Sequence, residues 1–265
     1  MMRLMKNAVP VCMALLCIVL AAGSLRAQES PVVQRGWELL DAGDHAGARA
    51  YAETALREEQ NLLKRQRGAL LIQLSFAFME LGEYRPSINT WHTLIDMFPG
   101  HHMVWGNLGW SYYCLGDLDS AIIATERALA LKESMAWCWG NLGLCYIARG
   151  DIQNTRRAYN QVIRHVESSE VWESIRNDID ELCANDRRPC CAAARAVLDG
   201  AWRTVLLRWY AKRDPASGIE LVGEHPETFR EIRVQLQNRL EQESETERAR
   251  TKALLNRLDA DLGDI

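Results

Sequence analysis

The chain has 265 residues, of which 48% are hydrophobic and 25% charged, and its formal net charge is −4. That apolar fraction is the composition of a packed protein and excludes a disordered chain. The acidic excess has the wrong sign for a general binder of nucleic acid or of an anionic membrane surface.

At the N-terminus, Arg3 and Lys6 precede an uncharged run from Asn7 to Leu25 that ends in small residues and Arg26. This layout predicts a secretory signal peptide over residues 1–27, cut after Ala27 or earlier near Ala21 or Ala22. The competing expectation is an uncleaved anchor, because the run approaches the length of a spanning helix. Asn7, Pro10 and Gly23 dilute it. Positive charge stays inside, so either outcome exports the rest of the chain: periplasmic or secreted, or held at the inner membrane by its N-terminus. Cys17 lies within the apolar run, preceded by Ala14, Leu15 and Leu16, which argues against a lipid-modified cysteine. Residues 1–27 hold three basic and no acidic residues, so their removal leaves 28 basic against 35 acidic, a charge of −7.

The next feature is a period. Trp105-Gly-Asn-Leu-Gly recurs as Trp139-Gly-Asn-Leu-Gly, and Gly116-Asp117 recurs as Gly150-Asp151, each displaced by 34 residues. Within residues 102–135, Trp105, Leu108, Gly109, Tyr112, Ala121 and Ala128 fall at positions 4, 7, 8, 11, 20 and 27. Residues 136–169 supply Trp139, Leu142, Gly143 and Tyr146, then Thr155 and Val162. This pattern resembles the tetratricopeptide (TPR) repeat family. The same register gives a repeat at 68–101, with Leu71, Leu74, Ser75, Phe78, Gly82-Glu83, Ser87, Trp91 and Pro99. A weaker one lies at 29–62, with Gly36, Leu39, Gly43-Asp44, Ala48, Ala52 and Ala55. There Arg35 replaces the usual leucine, and Leu63 to Arg67 intrude before the next repeat. The resemblance implies an all-α solenoid over residues 29–169, a right-handed superhelix of helix pairs. Small residues let the axes approach while neighbours bury one another's faces. Glycine closes each first helix, and aspartate caps the second.

Past residue 169 the period ends. Trp172, Ile175, Ile179 and Leu182 still form a helical stripe, read as a cap on the solenoid. After the polar break Asn185 to Pro189, a helix reaching about Lys212 carries Val197, Leu198, Ala201, Val205 and Trp209, so residues 170–213 are expected to be capping and packing helices. Asp214 to Gly218 reads as a turn. Residues 219–265 read as a charged C-terminal helix, a single long run after Pro226 with apolar residues at both ends.

Cys138 and Cys145 share a helix and stand too far apart for a bridge. Cys183, Cys190 and Cys191 flank a loop where a disulfide could close in an oxidising compartment. Their spacing and the lack of a nearby histidine argue against zinc. No metal and no cofactor are expected. His101-His102 reads as a loop and helix start, since adjacent helical positions make a poor chelate.

By the family's geometry, the first helix of each repeat lines a concave groove. The resemblance places Trp37, Gln73, Phe76, Asn107, Trp110, Tyr113, Trp137, Asn141 and Leu144 there. None is basic, which excludes the family's Lys/Arg clamp for a peptide carboxylate. Asn107 and Asn141 either fix a bound peptide backbone, as an amide can, or simply meet the repeat consensus. The groove is either open to a partner or covered by the chain's own C-terminal helices. No nucleophile with its base, phosphate loop or metal-spaced histidines accompany it. The reading is therefore a non-enzymatic protein-binding scaffold of the cell envelope. Its rival is an accessory component of a solute transporter that holds a small apolar molecule.

Overall fold

The computed structural model describes residues 30–184, 189–213, 215–240 and 243–263, so the expected signal segment 1–27 and the loop residues 185–188 lie outside it. The described residues form thirteen helices and no strand. None of these helices is long and apolar enough to cross a membrane. They form two compact units that divide between Arg195 and Ala196.

The first unit is built of helix pairs: α1 (Pro31–Asp41) with α2 (His45–Glu58), α3 (Lys64–Glu80) with α4 (Tyr84–Met97), α5 (His102–Leu115) with α6 (Leu118–Leu131), and α7 (Ala136–Arg149) with α8 (Ile152–His165). These are followed by α9 (Ser169–Leu182) and the start of α10 (Pro189–Lys212). Every pair turns the same way. Gly43, Gly82, Gly116 and Gly150 all hold φ between +73° and +87°, a left-handed conformation that costs a residue with a Cβ about 1–2 kcal/mol. In each turn the next residue's N–H reaches back to a carbonyl of the closing helix, from Asp44 to Leu39, Glu83 to Phe78, Asp117 to Tyr112 and Asp151 to Tyr146. Asp44, Asp117 and Asp151 then cap the second helices, accepting from the N–H groups of Gly47, Ser120 and Asn154.

The positions expected to be small are those where helices meet. Ala48, Ala121 and Ala128 are fully buried. At Gly109 and Gly143 the second helix of the same repeat comes so close that an added Cβ would meet Thr125 and Tyr159. The five intruding residues do not form a loop. They lengthen α3 into a helix of 17 residues, with the N–H of Leu63 taken up by the Gln66 side chain.

The second unit runs from Ala196 through α11 (Pro215–Glu224), α12 (Pro226–Leu240) and α13 (Glu245–Gly263). Here the structure corrects three expectations. The boundary between units falls within α10, whereas the expected capping-and-packing segment was 170–213. Of the expected turn at Asp214 to Gly218, residue 214 lies outside the described residues and Pro215 to Gly218 open a helix, because Pro215 sits at its first position, where a missing N–H costs nothing. The expected single charged helix over 219–265 is three helices. Inside the polar run, Ser244 precedes α13, its hydroxyl and N–H both donating to the Glu247 carboxylate. The chain then folds back, and Arg233 of α12 pairs with Asp259 of α13. Phe229, Ile232 and Leu236 are buried, as are Leu255 and Leu258. Tyr210 closes the unit: its ring lies 5.4 Å from that of Phe229, its hydroxyl donates to Asp261, and the Arg257 guanidinium stacks 4.4 Å above it.

Candidate functional site

Three of the first helices, α1, α5 and α7, offer the next inner helix a position without a side chain. A Cβ at Gly36 would meet Gln73 of α3, one at Gly106 would meet Trp137 of α7, and one at Gly140 would meet Ile175 of α9. Helix α9 thus occupies the place that a further first helix would take.

Eight of the nine groove residues expected from the sequence, Trp37, Gln73, Phe76, Asn107, Trp110, Trp137, Asn141 and Leu144, are at most 6% exposed. They pack helix on helix. The Phe76 ring lies between those of Trp37 and Trp91, at 6.4 and 5.5 Å. The Gln73 amide donates to the Val33 carbonyl at 2.7 Å, tying α3 to α1. Tyr113 alone of the nine keeps partial exposure, stacked on Trp110 at 5.2 Å.

Asn107 donates to the Met103 carbonyl at 2.9 Å, while its side-chain oxygen is buried with no partner among the described residues. The Gln73 side-chain oxygen is in the same condition. A buried acceptor left this way costs free energy that an incoming donor relieves.

Two residues absent from the sequence expectation join this face. Asp178 of α9 has its carboxyl pushed up to about 7, first by burial and then by the neighbouring Glu181. Tyr159 of α8 passes under the bare backbone of Gly143, is fully buried, and presents a hydroxyl without a partner among the described residues. Burial raises its phenol, and Tyr113, Asp178 and Cys145 add to the shift. Burial also raises the phenol of Tyr113, with Cys145 next in effect, then Cys114, Asp178 and Glu181. The signal for Tyr159 was present in the sequence, since Gly143 leaves room for a large side chain from the paired helix. Asp178 carried none, because its burial depends on helices distant in the sequence.

The three flanking cysteines resolve into one bridge, Cys183 to Cys191, which joins α9 to α10, and one buried thiol, Cys190. His101 and His102 fall at the start of α5, with burial lowering both imidazoles. Among the described residues no three His, Cys, Asp or Glu side chains gather as metal ligands.

Helix pairs repeated with one turn chemistry, one set of close-approach positions and a common inner face define an α-solenoid of the kind that presents an extended surface to other proteins. The chain carries tetratricopeptide repeats: models of that repeat match residues 102–134 and 141–169. Solved structures similar to it include residues 41 to the end of MamA from Desulfovibrio magneticus RS-1, at 17% identity over 66% of this chain and 97% of that one, with a TM-score of 0.49. TTC0263, a thermophilic TPR protein in Thermus thermophilus, is 20% identical over 66% and 97%, with a TM-score of 0.47. A tetratricopeptide repeat protein from Parabacteroides merdae ATCC 43184 is 17% identical over 86% and 97%, with a TM-score of 0.46. Comparison with curated proteins gives no match.

Proposed function

We propose that the chain is a non-enzymatic adaptor of the cell envelope which holds a protein partner along its inner helix face, at the end formed by α5, α7 and α9. The observation that carries this reading is the ring of Tyr113, stacked on Trp110 and partly exposed where the other eight expected groove residues are buried. Such a ring offers an aromatic platform with a polar tip to a side chain of the partner. The envelope assignment rests on the basic and apolar N-terminal sequence alone.

A photoreactive phenylalanine analogue placed at Tyr113 in growing cells tests both parts. The expected result is a covalent adduct to one protein, recovered from the envelope fraction. The same probe at Ile123, a 67% exposed residue of α6, forms no such adduct. Adduct formation at neither site, or equally at both, overturns the inner-face assignment. An adduct found only in the cytoplasm overturns the envelope assignment.

A further inference from the structure

The inner face changes character at its last helix. None of the nine groove residues carries a charge; charge enters with α9, where Asp178 and Glu181 stand one turn apart on the same side of the helix. After burial and the neighbouring thiols, both carboxylates help raise the phenol of Tyr113. After burial and Tyr113, Asp178 helps raise that of Tyr159. Such effects require closeness, so the two acids lie beside the partly exposed ring from α5 and the buried ring from α8. Asp178 is itself half-buried and Glu181 exposed, which leaves this end of the face open to a visitor.

Among the described residues no cation answers these acids. Burial first, and then Glu181, push the Asp178 carboxyl up to about 7, and no basic group opposes that rise. Arg195 of α10 is taken up by Asp180 at 2.9 Å, and Arg149 of α7 by Asp119. Arg176, two positions before Asp178 on α9, faces away from it. The group that α7 turns towards the two phenols is the Cys145 thiol, which burial pushes up to about 12 and so keeps neutral. Tyr159 supplies a second, separate sign of a missing ligand. It is fully buried beside Asp178, and its hydroxyl has no partner among the described residues. An uncompensated carboxyl and an unanswered hydroxyl oxygen leave two adjacent acceptors without a donor.

Sign and shape select the ligand. Two carboxylates repel an anion, and an apolar side chain leaves them unpaired. A hard metal ion needs several converging oxygen ligands, and no group of three metal-ligating side chains occurs among the described residues. A guanidinium meets every demand: it carries charge, spreads five donors in a planar fork, stacks on an aromatic ring, and is less strongly hydrated than an ammonium, which suits a half-buried site. The chain's net charge of −4 favours a basic partner as well. We propose that the end of the inner face marked by Asp178 and Glu181 takes an arginine side chain of the partner protein, its guanidinium stacked on Tyr113 and bonded to the Asp178 carboxylate. The inference rests on the reading of the inner face as a partner site.

Fluorine NMR of the full chain labelled with 3-fluorotyrosine tests the site, with Tyr113→Phe identifying the Tyr113 line. The probe is Nα-acetyl-arginine methylamide. It should move the Tyr113 line saturably, and its citrulline counterpart, of the same shape without the charge, should not. The lysine counterpart should bind more weakly. Because the bound carboxyl must be ionised, affinity should rise about tenfold from pH 6 to pH 8. Asp178→Asn keeps the shape of the protonated acid, so the fold should be preserved. It should remove that pH dependence and weaken binding at pH 8 about tenfold, one charge-assisted hydrogen bond being lost. Glu181→Gln, at an exposed position, should weaken binding less and keep the pH dependence. The proposal is overturned by no saturable shift at Tyr113, by an equal response to citrulline, by tighter binding of lysine, or by full binding in Asp178→Asn. These titrations need no cellular partner. Their failure while the photo-adduct at Tyr113 forms overturns the arginine site alone, whereas absence of the adduct overturns the inner-face reading and the partner with it.

Discussion

Gly109 and Gly143, 34 residues apart, mark the closest approach of the two helices within their repeats. A Cβ at Gly109 would lie 2.3 Å from Thr125 Oγ1 and 3.1 Å from the Ala121 carbonyl. Thr125 is 1% exposed and bonded to that same carbonyl at 2.7 Å, so it has nowhere to swing. Gly109→Ala should therefore destabilise the protein by about 1–3 kcal/mol in urea denaturation, despite the roughly 1 kcal/mol that alanine gains over glycine in helix propensity. Gly200, exposed on α10 with nothing within 4 Å, shows that propensity alone: Gly200→Ala should stabilise by up to about 1 kcal/mol. Asp178 acts through charge. Its folded carboxyl titrates near 7 against an ordinary value of 3.8. Between those values the folded chain keeps a proton that the unfolded chain releases. Stability should fall as pH rises from about 4 to about 7 and level off above. Asp178→Asn should flatten that slope, with a difference on the order of 4 kcal/mol between the two ends, read from urea midpoints across pH. The two glycines were legible in the sequence because they recur. Asp178 was not, since the groups around it come from α5, α7 and α8.

At the level of helices, the Gly-Asp turns could be read in advance, because each needs only two adjacent residues with the right backbone freedom and capping oxygen. Two other junctions could not. By register Leu63 to Arg67 are only an insertion, whereas in the structure Lys64 to Arg67 extend α3 and the Gln66 side chain takes up the Leu63 N–H. The break before α13 was hidden in a charged run, where Ser244 and Glu247 look like two more polar helix residues until both Ser244 donors are seen to meet the Glu247 carboxylate. The Cys183–Cys191 bridge lies between these extremes: its three candidate cysteines were visible, and the choice among them was geometric. It closes a loop of sequence separation 8. Chain entropy puts its loss at about 2–3 kcal/mol. Cys191→Ser should lower stability by that amount, and reduction with dithiothreitol should destabilise the parent protein equally while leaving the variant unchanged. Cys190→Ser should retain the sensitivity to dithiothreitol.

Over the first unit as a whole, both the period and the helix that follows its end were legible. Residues 169–182 lose every family position, yet α9 presents Ile175 to Gly140 as α7 presents Trp137 to Gly106. What the sequence preserves there is only the apolar stripe, with Trp172, Ile175 and Ile179 each 1% exposed. A stack in which each pair touches only its neighbours spreads stability by nearest-neighbour coupling. Damage to the cap should therefore be felt locally. Ile175→Ala removes a buried side chain lying 3.0 Å from the place of a Cβ at Gly140, a change that costs about 2–5 kcal/mol in a packed core. Hydrogen exchange should show amides of α7 and α8 losing protection by that amount, those of α5 and α6 losing less, and those of α1 and α2 keeping theirs. Equal loss from α1 to α9 would mean that the unit unfolds as one cooperative body, and the cap would then stabilise every repeat alike.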